Sequence, residues 1–125
     1  MSKWTLAYVD DDDDLRDIMA LALGEESDME LVLCESGEKA LEKLSMLQAD
    51  LILLDVMMPG LDGPQTLHGL RQLPGYEKTP VVFITAKVQA NDIPHYQDLG
   101  AAGTIMKPYD VMTLPAQVRN FLPRG

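Results

Sequence analysis

The sequence predicts an open α/β domain, a parallel five-stranded sheet with helices wound onto both faces. Three observations carry that expectation. Strand-like apolar runs alternate with helix-like stretches along the 125 residues, the order of repeated strand–helix–strand units. The runs are apolar at consecutive positions, as in Leu51-Ile52-Leu53-Leu54 and Val81-Val82-Phe83-Ile84, which suits strands covered on both faces. Polar and charged residues stand where the runs stop, and that edge is where such sheets hold their ligands.

In chain order, Thr5–Val9 reads as the first strand. Leu15, Ile18, Met19, Ala22 and Leu23 follow at helical spacing, with Gly24 as the stop. Glu30–Cys34 is the second strand, and Ser36 is placed to cap a helix carrying Ala40, Leu41 and Leu44. Leu51–Leu54 is the third strand. Asp62 followed by Gln65 has the form of a capping box for a third helix, ended by Pro74-Gly75. After the fourth strand, Val81–Ile84, Asn91 is expected to cap a helix with Pro94 in its first turn, where a missing N–H is tolerated. Thr104–Met106 is the fifth strand. Thr113 is expected to cap the last helix, again with a proline, Pro115, in the first turn. The last two helices are expected to be short. Right-handed crossovers put helices on both faces and all strand C-termini on one edge.

This length suits one domain, 1–125, with one core, and 46% hydrophobic residues support a folded globule. A formal net charge of −10 argues against nucleic acid or an anionic membrane as direct partners. No segment is apolar and long enough to span a bilayer, and the N-terminus lacks the pattern of a secretory signal. Cys34 is the single cysteine, so no internal disulfide is available, which fits a reducing compartment. A cytoplasmic location is the expectation. His68 and His95 lack a partner at metal-ligand spacing and read as surface or partner-facing. The eight methionines read as core filler.

The strand ends carry the chemistry. Asp10 and Asp11 close the first strand, Asp55 the third, Thr85 the fourth and Lys107 the fifth, so the topology predicts that these five residues converge. Crowded carboxylates raise one another's pKa unless a cation offsets them, and Mg²⁺ suits hard oxygen ligands. Asp55 could then attack phosphorus in line and form an acyl phosphate. Lys107 would balance charge on the phosphoryl oxygens, and Thr85 would donate a hydroxyl hydrogen bond. Asp12 to Asp14 read as solvated charge at a helix N-terminus. A calcium-loop reading of Asp10, Asp12 and Asp14 fails, because Leu15 and Leu21 fall where glycine and a bidentate glutamate are needed.

With these residues the chain resembles the receiver domain of bacterial two-component response regulators, of the chemotaxis-regulator kind. Val9-Asp10-Asp11-Asp12 with Asp14-Leu15-Arg16 is similar to the family's first acidic motif. Asp55-Val56-Met57-Met58-Pro59-Gly60-Leu61-Asp62-Gly63 resembles its phosphorylation motif, and Thr85-Ala86 and Lys107-Pro108 resemble the remaining two. The resemblance runs from about Thr5 to Leu122. It implies the flavodoxin-like strand order 2-1-3-4-5. It implies that Asp55 is the phosphoacceptor for a sensor histidine kinase or a histidine phosphotransfer protein. It implies Mg²⁺ held by Asp11, Asp55 and the Met57 carbonyl, with Asp10 acting through water, and a cis Lys107–Pro108 peptide that aims the lysine. Phosphorylation would switch binding to a downstream protein or effector domain, and homodimers occur in the family. The chemistry would be self-phosphorylation and self-dephosphorylation, with no substrate turned over. The output surface would draw on His95, Tyr96, Tyr109 and Gln117.

One position departs from the pattern. Thr104 stands three residues before the lysine, where the family carries Tyr or Phe. Repacking of the loop around Ala86 and Lys87 is therefore expected to carry the signal. Met57 and Lys87 should flank the path of hydrolytic water, and an apolar Met57 cannot orient it, so slow self-dephosphorylation is expected. Two rival readings are a phosphatase of the haloacid dehalogenase type and a receiver that binds partners without phosphorylation. The first needs Thr or Val at the fifth position of a first-strand Asp-x-Asp motif, where this chain has Asp14.

Overall fold

The computed structural model describes residues 3–86 and 92–123. Five strands, β1 (Trp4–Val9), β2 (Met29–Cys34), β3 (Leu51–Asp55), β4 (Val81–Thr85) and β5 (Gly103–Met106), form one parallel sheet in the order β2-β1-β3-β4-β5. Five helices alternate with them: α1 (Asp13–Leu23), α2 (Gly37–Leu44), α3 (Gly63–Gln72), α4 (Asp92–Asp98) and α5 (Leu114–Arg119). This is the doubly wound, flavodoxin-like order that the resemblance implied. The register sets Val9 beside Cys34 and Leu54, Asp55 beside Ile84, and Thr85 beside Met106. The strand ends that carry the candidate site residues are thereby level with one another.

Side chains alternate across the sheet into two apolar layers. Ala7, Val9, Ile52, Leu54, Val81 and Phe83 face a layer completed by Ala40 and Leu44 of α2, Leu67 and Leu70 of α3, and Tyr96 of α4. Leu6, Tyr8, Leu51, Leu53, Val82 and Ile84 face the other side, against Met19 and Leu23 of α1 and Leu114 and Val118 of α5. Strands β3 and β4 are buried at every position, which explains their unbroken apolar runs. Each large aliphatic buried this way contributes about 1.5–3 kcal/mol relative to exposure. No helix among the described residues is long and apolar enough to cross a membrane.

Helix starts follow local hydrogen-bonding chemistry. Ser36 Oγ accepts the Lys39 N–H at 3.0 Å. Asp62 and Gln65 form the expected capping box, with bonds of 2.9 and 3.1 Å. Asp12 is more specific than solvated charge: its Oδ1 accepts the N–H groups of Asp14 and Leu15 and caps α1. Gly24 ends α1 in a helical conformation, φ −66°. Thr113 does not cap α5. Its backbone is already helical, at φ −101° and ψ −11°, so its hydroxyl turns back to the Asp110 carbonyl at 3.3 Å. The preceding turn is held by Asp110, whose Oδ1 accepts the Met112 N–H at 2.8 Å. Helices α4 and α5 are short, with seven and six residues, and Asn91 lies outside the described residues. The methionines are not mainly core filler. Among the described ones Met19, Met29 and Met58 are buried, whereas Met46, Met57, Met106 and Met112 are exposed.

Candidate functional site

The C-terminal ends of β1, β3, β4 and β5 surround a cavity of about 440 Å³. Asp10, Asp11, Asp55, Thr85 and Lys107 all line it, so the structure brings together the five residues that topology predicted to converge. Asp12, Val56, Met57, Ala86 and Tyr96 complete the wall. Asp10 and Asp55 are buried, whereas Asp11 is exposed. One carboxylate oxygen from each of the three acids lies within 4.8 Å of the others. That compact set of hard oxygens is suited to a small divalent cation.

Lys107 ties the site together. Its Nζ donates to Asp10 Oδ2 at 2.9 Å and to Asp55 Oδ1 at 3.2 Å. Its backbone N–H donates to the Thr85 carbonyl at 2.9 Å, and the Lys107–Pro108 peptide is cis, as the resemblance implied. Both carboxylate oxygens of Asp10 are engaged. Besides Lys107, its Oδ2 accepts the Tyr8 hydroxyl at 2.5 Å, and its Oδ1 accepts the Asp12 N–H at 3.0 Å. Arg16 donates to the Asp10 carbonyl at 2.6 Å and pairs with Asp13.

The environment sets the charges. Burial pushes the Asp55 carboxyl up to about 6; the Asp10 charge adds to that push, and Lys107 opposes it. Burial disfavours the Lys107 ammonium, but the hydrogen bond and charge of Asp10, then Asp55, outweigh it and hold the amine above its ordinary range. Tyr8 is driven upward by burial and by its bond to Asp10, so it remains a neutral donor.

Close backbone packing holds Asp55 in place. The Gly63 N–H donates to the Val56 carbonyl at 2.9 Å. A Cβ at Gly63 would sit 2.7 Å from the Asp55 carbonyl oxygen and 2.8 Å from Val56 Cα. Gly60 adopts φ +74°, which side chains rarely allow.

Sequence reasoning missed one participant, Tyr8, and assigned Tyr96 and Tyr109 to the output surface. Tyr8 lies two residues before Asp10, which follows directly on β1 and keeps its N–H on the Cys34 carbonyl; extended backbone puts both on the same face, and that spacing was the available signal. Tyr109 is half-buried; its hydroxyl lies 3.3 Å from that of Tyr8 and donates to the Leu15 carbonyl at 3.2 Å. Tyr96 is buried in the cavity wall. Neither tyrosine forms the open output surface expected of it, because each phenol has an inward partner. His95 and His68 are exposed, Gln117 is half-buried, and Lys87 lies outside the described residues.

The family model for the response regulator receiver domain matches residues 6–119. The chain belongs to the response regulator receiver family. This receiver domain is 43% identical to the transcriptional regulatory protein PcoR of Escherichia coli over 93 residues, covering 74% of this chain and 40% of that protein. It is 32% identical to the response regulator Rre1 of Synechocystis over 120 residues, covering 96% of this chain and 52% of that protein. The receiver domain thus spans about half or less of these curated relatives. Among solved structures, chemotaxis protein CheY4 of Vibrio cholerae superposes with a TM-score of 0.91 at 25% identity, covering 97% of this chain and 100% of that one. The receiver domain of a histidine kinase from Syntrophus aciditrophicus matches with a TM-score of 0.82 at 26% identity, covering 95% and 89%.

Proposed function

We propose that this receiver domain takes a phosphoryl group on Asp55 from a sensor histidine kinase or a histidine phosphotransfer protein, and that the modified state changes its protein contacts. The asymmetry between the two buried acids carries the reading. Both oxygens of Asp10 accept hydrogen bonds. Asp55 gives only Oδ1 to Lys107, and among the described residues none donates to Oδ2. The oxygen with uncommitted lone pairs is the nucleophile. It attacks phosphorus in line; the O–P bond forms as the P–N bond of the phosphohistidine breaks, and that electron pair returns to the imidazole. Lys107 stands to neutralise the transferred oxygens, and the Thr85 hydroxyl hydrogen-bonds one of them. Favouring Asp55 over the first-strand Asp10 also favours a receiver over a phosphatase of the haloacid dehalogenase type.

The donor set fits Mg²⁺. Asp11 and Asp55 would hold it with the Met57 carbonyl, Asp10 acting through water, and it would supply charge neutralisation at phosphorus. The regulated partner is a protein or a linked effector domain in the cytoplasm, since a net charge of −10 disfavours direct contact with nucleic acid. Incubation with acetyl phosphate and Mg²⁺, followed by intact mass measurement, tests the reading. The expected outcome is one added phosphoryl group in the wild type and none in Asp55→Asn. A folded, Mg²⁺-binding wild type that stays unmodified by acetyl phosphate and by phosphorylated kinase alike would leave a binding module in its place.

A further inference from the structure

Thr104 is half-buried on β5, opposite Phe83 of β4. The aromatic side chain at the site comes instead from α4. Tyr96 is 8% exposed, and its ring meets Phe83 edge-on, with centroids 5.0 Å apart and planes at 71°. It lines the same cavity as Asp55, Thr85 and Lys107, and its hydroxyl shares a hydrogen bond with the Thr85 side chain. Phe83 and Thr85 are two residues apart on one strand and share a face, so a single tyrosine grips both. Among the described side chains of α4, Tyr96 alone is buried. A short helix held to the sheet through such a residue is placed by whatever places the residue.

We propose that Tyr96 is the positioning residue that couples the state of Asp55 to α4, with Thr85 as the contact between them. When the Thr85 hydroxyl is drawn onto a phosphoryl oxygen, its bond to Tyr96 is lost, the phenol changes its surroundings, and α4 shifts on Phe83. This rests on the phosphoacceptor reading of Asp55. The chain has four tyrosines, so fluorine NMR of fluorotyrosine-labelled protein reports each one, with Tyr96→Phe assigning its signal. Beryllofluoride with Mg²⁺ serves as the phosphoryl mimic, and wild-type protein is treated with acetyl phosphate in parallel. The expected result is a shift of the Tyr96 signal with Tyr76 unmoved. Amide shifts along residues 92–98 should accompany it in the wild type and be lost in Tyr96→Phe, which keeps the ring and hence the packing on Phe83. A wild type that gains a phosphoryl group while the Tyr96 signal stays put overturns the coupling and leaves the phosphoacceptor reading intact. A wild type that neither gains mass nor responds to beryllofluoride overturns both.

Discussion

Tyr8 is the next-to-last residue of a strand that is buried at its last four positions, and a buried phenol requires a partner for its hydroxyl. It finds one in Asp10 at 2.5 Å. In Tyr8→Phe the ring still fills its space, but the carboxylate loses a charge-assisted donor, worth about 1.5–3 kcal/mol. Urea denaturation at neutral pH should show that loss with an unchanged m-value, and undiminished stability would contradict it. Met57 poses a different question, because it is 78% exposed at the rim of the cavity. An apolar side chain there cannot hold a water for attack on the acyl phosphate. Met57→Asn adds one such hydrogen bond, about 1 kcal/mol, so dephosphorylation should quicken roughly fivefold. Equal decay rates for the two proteins, followed by intact mass, would remove water orientation as the reason for a long lifetime. The five strand-end residues were legible because burial on both faces leaves a polar group only where a strand stops. The tyrosines were not, since Tyr8, Tyr96 and Tyr109 look apolar in a sequence until a hydroxyl partner is placed beside them.

Elements were legible where a local rule dictates them and less so where tertiary contacts decide. Ser36 and the Asp62–Gln65 box cap their helices through their own side chains. Thr113 has a suitable side chain but a helical backbone, so the rule misfires. The turn from β3 into α3 depends on a contact that no sequence window shows. Gly63 brings the start of α3 against the backbone of Asp55 and Val56, so a methyl there must move either the helix or the strand end that carries Asp55. Gly63→Ala should cost about 1–3 kcal/mol and slow phosphorylation by acetyl phosphate. Gly69→Ala, within the same helix, is the control. Its new Cβ meets only the tip of Leu41, and alanine's helix propensity offsets up to about 1 kcal/mol of any crowding. Equal effects of the two variants on stability and labelling would contradict a special role for the Gly63 contact.

At the scale of the whole molecule, the sheet edge brings Asp10, Asp11 and Asp55 together, and the burial of Asp55 beside the Asp10 charge opposes folding. The Asp55 carboxyl titrates near 6 in the folded state, against about 3.9 for a free aspartate. Between about pH 4 and pH 6 the unfolded chain has released this proton and the folded chain still holds it, so this group's contribution to stability falls as pH rises through the window and is flat above it. By pH 7 the ionised Asp55 costs on the order of 1–3 kcal/mol. Asp55→Asn removes that cost while Lys107 keeps its bond to Asp10. In chelator, the variant should melt a few degrees above the wild type at pH 7, and the gap should close as pH falls towards 4. Mg²⁺ bound to the folded state alone would raise the wild-type Tm by mass action, so it should narrow the same gap at pH 7 from the other side. Thermal melts of both proteins at pH 4.5 and pH 7, with chelator and with Mg²⁺, separate the two effects. If the chelated variant is no more stable than the wild type at pH 7, the crowding of Asp10, Asp11 and Asp55 is not a net strain on the fold, and the divalent ion would be needed for the chemistry alone.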